Sequence, residues 1–179
     1  MANDEDGTAV SQLRATAHPL RLRILSLLTG AELSAAEVAR ELDVTHANAS
    51  YHLRVLADAG LLVVAGEEKI RGGVAKRYRH PWEPRDPDRP QRPTSPEDRE
   101  AYLRAMAEEL VRRGRLRRPG SRGQFTDAEL WVEPEVWQRV TALVEDASML
   151  LHAQARPPRS DGTVLVNLTA ATFEMEDPR

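Results

Sequence analysis

Residues 45–60, THANASYHLRVLADAG, decide how the first half of this chain folds. Ala49, Leu53 and Leu56 recur at i, i+4 and i+7, the period of one helical face, and are expected to point at a core. Thr45 is placed to cap this helix and Gly60 to stop it. The opposite side carries His46, Ala47, Asn48, Ser50, Tyr51 and Arg54, and no acidic residue comes before Asp58. Base edges demand donors and acceptors, and phosphates repel carboxylates, so a groove-reading helix needs such a surface. An ordinary solvated helix face has the same composition, and the stretch alone does not separate the two.

The flanking sequence tilts the balance. Upstream, residues 17–28, AHPLRLRILSLL, bring Leu20, Ile24, Leu27 and Leu28 onto one face, with Pro19 in a first-turn position and Gly30 as a stop. Ser34 is placed to cap SAAEVAREL, where Ala35, Val38, Ala39 and Leu42 make a second stripe. Downstream, residues 61–80, LLVVAGEEKIRGGVAKRYRH, read as strand, glycine-containing turn, strand. Between positions 69 and 79 stand Lys69, Arg71, Lys76, Arg77 and Arg79, with no acid among them. A helix-turn-helix followed by a basic hairpin is the layout of a winged helix, one helix in the major groove and the wing on backbone or minor groove.

Over residues 10–80 the chain resembles the ArsR-type winged-helix transcriptional regulators. The resemblance is carried by AHPLRLRILSLL, by SAAEVARELDVTHANASYHLRVLADAGLL and by GGVAKRYR, and most specifically by Ser50, His52, Leu53 and Leu56 followed by Ala-Gly-Leu. It implies a homodimer that binds double-stranded DNA at an inverted repeat and represses its target. By position, it implies a DNA-facing set of Thr45, His46, Asn48, Ser50, Tyr51 and Arg54, with His52 reaching toward phosphate and the wing cations Lys69, Arg71, Lys76, Arg77 and Arg79 beside them. Founding members of that family sense metals through cysteine pairs or Asp and His clusters. This chain has no cysteine, and its histidines, at 18, 46, 52, 80 and 152, include no pair at i and i+3 or i+4. No metal and no cofactor are therefore expected.

Residues 81–96, PWEPRDPDRPQRPTSP, place proline at 81, 84, 87, 90, 93 and 96. This spacing matches the three-residue turn of polyproline II and reads as a semi-rigid spacer reaching roughly 45 to 50 Å. It separates a DNA-reading region at 1–80, across a linker at 81–95, from a dimerisation or regulatory region at 96–179. The charge balance of residues 1–80, 81–123 and 124–179 is 0, +3 and −6, which suggests separate tasks for the two ends. In the second half Ser95 and Pro96 open a helix with an apolar stripe through Tyr102, Leu103, Met106, Ala107, Leu110 and Val111. A basic run from Arg112 to Arg122 follows. Residues 124–133 alternate as a strand, Pro134 opens a long helix, and TVLVNLTAATFEM (163–175) reads as another strand, giving a β-α-β unit.

The expected fold class is thus mainly α with small β: an N-terminal winged helix-turn-helix and a small C-terminal α+β unit. No glycine-rich phosphate loop, nucleophile elbow or metal cluster is legible, so no catalytic residue is expected. The acidic start, MANDEDG, and the lack of a long apolar run point to a cytoplasmic protein with no membrane partner. The C-terminal half is expected to receive a small-molecule or protein effector. The competing function class is a winged helix that docks another protein without reading DNA.

Overall fold

The computed structural model describes residues 12–70, 73–82 and 95–177. Helix α1 spans residues 12–16, and α2 follows at Pro19–Thr29. A short strand β1, Leu33–Ser34, leads into α3, Ala35–Leu42, and then α4, His46–Asp58. The hairpin is β2, Val63–Ile70, and β3, Gly73–Arg79. Beyond it lie α5, Pro96–Gly114, and α6, Pro134–Ala153.

Side chains named in the sequence close these helices. The Ser34 hydroxyl accepts from the Glu37 N–H while the Glu37 carboxylate accepts from the Ser34 N–H at 2.8 Å, a reciprocal capping box. Thr45 Oγ1 accepts from the Asn48 N–H at 3.2 Å. Gly60 takes φ 71°, the left-handed conformation that ends α4 and that a side chain would penalise. His18 caps α2 with Nδ1, accepting from the Leu20 N–H at 3.1 Å.

α2, α3 and α4 meet in one aliphatic core built on Leu20, Ile24, Leu28, Val38, Ala49, Leu53 and Leu56, with Leu62 closing it below the hairpin. The sheet has the order β1-β3-β2 and is antiparallel throughout. β1 pairs Leu33 with Tyr78 and Ser34 with Arg77, which fastens the returning strand of the hairpin to the start of α3. That two-residue strand has no periodicity to announce it.

The N-terminal half therefore carries the expected helix-turn-helix and hairpin, and the molecule is mostly helical with a small sheet. The C-terminal half departs from expectation. α6 forms as read, but neither 124–133 nor 163–175 forms a strand. A strand needs a neighbour for its backbone groups, and two short segments offer each other too little to hold a sheet. Phe125 and Trp131 are each 80% exposed and Leu165 97%. Residues 83–94 of the proline-spaced spacer read at 81–96 lie outside the described residues, as does Arg71, and Pro96 opens α5.

α5 packs on α2, burying Ala105 and Glu109. The apolar stripe read along α5 is divided, since Tyr102 and Met106 turn inward while Leu103, Leu110 and Val111 stay exposed. The Glu109 carboxylate is held by Arg112 at 2.8 Å and Arg113 at 3.3 Å, so its burial leaves no bare charge. The chain after α6 returns to the N-terminal half. There the backbone of Arg156 lies so close to Gly30 that a Cβ at that position would stand 2.7 Å from the Arg156 carbonyl oxygen. Arg159 pairs with Glu41 beyond it. Trp82 stacks on His152, centroids 4.3 Å apart and planes 15° from parallel.

Candidate nucleic-acid interface

α4 stands on the surface with its apolar side against α2 and α3. Ala49, Leu53 and Leu56 are fully buried, and the face away from them exposes Thr45, His46, Asn48, Tyr51 and Arg54, with Ser50 half-buried. The exposed residues offer hydroxyl, imidazole, amide, phenol and guanidinium groups, and no carboxylate stands among them. The two ends of the helix are fixed by the Thr45 cap and by Gly60, so these groups sit on a rigid rod.

His52 lies elsewhere. It is only 6% exposed and faces inward, its ring 4.7 Å from that of His18 and 5.1 Å from that of Tyr51. The resemblance implies a reach toward phosphate for this residue, whose ring is mostly buried here. Position 52 falls at i+3 from Ala49 and beside Leu53, so the spacing that marks the core stripe includes it. Its pKa is pushed down by burial, then by the neighbouring His18 and Arg21. That of His18 is pushed down by burial and Arg21, with Glu108 opposing. Both imidazoles are therefore biased to the neutral form.

The wing divides its cations into two groups. Arg77 is turned back into the domain: it donates to the Glu37 carboxylate at 3.0 Å, to Glu68 at 3.2 Å and to the Glu32 carbonyl. Glu37 is in turn held below the usual carboxylate range, first by the Ser34 N–H and hydroxyl, then by Arg77, against the opposing effect of burial. Arg79 reaches Glu32 at 3.7 Å. Lys69 and Lys76 stay exposed and take part in no ion pair among the described residues. The acid-free run from 69 to 79 concealed this division, because the acids that take up Arg77 and Arg79 come from positions 32, 37 and 68.

A second feature lies behind the helices. An open cleft of about 740 Å³ runs between α2, α5, α6 and the segment after residue 167, with Trp82, Tyr102, Trp137, His152 and Phe173 along its walls. Among the described residues no cluster of His, Asp and Glu could hold a metal ion. No helix among them is long and apolar enough to cross a membrane.

A family model described as a helix-turn-helix domain matches residues 16–65, which covers α2, α3, α4 and the start of the hairpin. The chain thus carries a helix-turn-helix domain, which suggests a DNA-binding regulator. No curated protein matches the chain.

Proposed function

We propose that this chain is a sequence-specific, double-stranded-DNA-binding transcriptional regulator of the ArsR type. It acts in the cytoplasm as a homodimer on an inverted repeat and represses its target, as the resemblance of residues 10–80 implies. The observation that carries the DNA-reading part is the outer surface of α4, where His46, Asn48, Tyr51 and Arg54 are all exposed with no carboxylate among them. α4 takes the major groove, its donors and acceptors meeting base edges. The wing lies on the adjoining backbone, with Lys69 and Lys76 as its free charges, and Arg71, outside the described residues, completes the set. The cleft between α2, α5 and α6 is where an effector of the C-terminal half would reach the DNA-reading domain, since α2 forms one of its walls.

Footprinting across the upstream region of the gene itself tests this. Protection of an inverted repeat with half-sites about one helical turn apart is expected. Equal affinity for every sequence would sink the proposal. One observation favours the other reading, a winged helix that docks a protein: Arg77 and Arg79 are taken up by Glu32, Glu37 and Glu68, which leaves the wing less charged than its sequence. Uniform DNA binding in the footprint would put that reading first.

A further inference from the structure

α6 has two apolar edges, and the protein covers one of them. Trp137, Thr141, Val144, Ser148 and His152 turn toward the cleft and are half-buried. The adjoining edge is Val136, Val140, Leu143, Ala147 and Leu150, spaced 4, 3, 4 and 3 residues, the repeat of a helix that seats its knobs between those of another helix. It faces solvent: Leu143 is 62% exposed and Leu150 66%, and α6 holds no buried residue at all.

Charge along the seam identifies the partner. Arg139 and Asp146 flank it one heptad apart, both exposed, and neither joins an ion pair among the described residues. Under an antiparallel two-fold each meets the other's copy. A parallel pairing would instead set Arg139 beside Val144 and Asp146 beside Leu151 of the second copy, leaving both charges without a partner. The edge is therefore its own complement. We propose that α6 of one chain packs antiparallel on α6 of a second copy through Val136, Val140, Leu143, Ala147 and Leu150, with reciprocal Arg139 to Asp146 contacts.

This deepens the homodimer reading above by locating its interface. The test uses the full chain without DNA, so its failure is distinct from a failure of operator recognition. Light scattering after gel filtration at micromolar concentration is expected to give a dimer. L143D, which changes a side chain already in solvent, is expected to give a folded monomer by circular dichroism. R139E and D146R are each expected to weaken the dimer about tenfold, because two attractions become two repulsions. An equimolar mixture of R139E and D146R is expected to recover wild-type affinity as a heterodimer, since every contact is then between opposite charges. A monomeric wild type, a dimer indifferent to L143D and R139E, or a mixture no tighter than its parts would each overturn the proposal.

Discussion

His18 and His52 lie ring against ring, centroids 4.7 Å apart, where the first turn of α2 meets the inner face of α4. His18 caps α2 with the same ring that touches His52. The contact therefore joins the start of one helix to the helix proposed to read DNA, and Arg21 stands close enough to disfavour a proton on either imidazole.

A pH dependence follows, with a definite sign. Both histidines have folded pKa values below the ordinary imidazole value of about 6.5, and His80, held down by burial, has the same bias. Below about pH 6.5 the unfolded chain binds more protons than the folded one, so stability present at neutral pH is lost on acidification. The urea midpoint should fall between pH 7.5 and 5.5, a window above the usual carboxylate range. H52Q should make that fall smaller. An unchanged fall in H52Q would mean that the pair is not its source.

On the proposed reading helix, Asn48→Ala and Tyr51→Ala should each weaken specific binding by about 1 to 3 kcal/mol and leave non-specific binding nearly intact. Both side chains are exposed opposite Leu53, so neither substitution opens the core. Parallel titrations on operator and random duplex measure the two affinities. An equal loss on both would exclude α4 as the reader.

The wing cations should behave as two classes. Lys76→Ala removes a free charge and should flatten the slope of log K against log salt by about 0.9 if Lys76 meets phosphate. Arg77→Ala should barely move that slope, because Arg77 is occupied by Glu37, Glu68 and the Glu32 carbonyl. It should instead cost stability, about 1 kcal/mol for a part-exposed pair that ties β3 to α3. Salt titrations and denaturant melts of the two variants separate these effects.

Gly30→Ala tests the return of the chain after α6. The φ of Gly30 is −100°, which any residue adopts, so the substitution acts through space alone. Its Cβ would meet the Arg156 carbonyl oxygen at 2.7 Å, and backbone does not yield as a side-chain tip does. The expected cost is about 1 to 3 kcal/mol, with faster proteolysis near Arg156 as the segment lifts. Gly30→Ala with wild-type stability and wild-type proteolysis would show that this segment is not seated on α2.

Much of the N-terminal half was determined by the sequence itself, because its signals are local. Helical periodicity, the Ser34 and Thr45 caps and Gly60 each act within about four residues, and they mark the bounds of α2, α3 and α4, whose short lengths are then stabilised by packing their apolar faces. The inward turn of His52 is not read from the sequence, where the resemblance gives it a reach toward phosphate, although it stands three residues after Ala49. Tertiary structure alone decided the rest. That His52 meets His18, that Arg77 is taken up by Glu37 forty residues earlier, and that Leu33 pairs with Tyr78 depend on residues distant in the chain. The alternating segments at 124–133 and 163–175 show the converse. Alternation expresses a preference for strand, but a strand exists only when a neighbouring strand accepts and donates its hydrogen bonds, and among the described residues these segments pair with none.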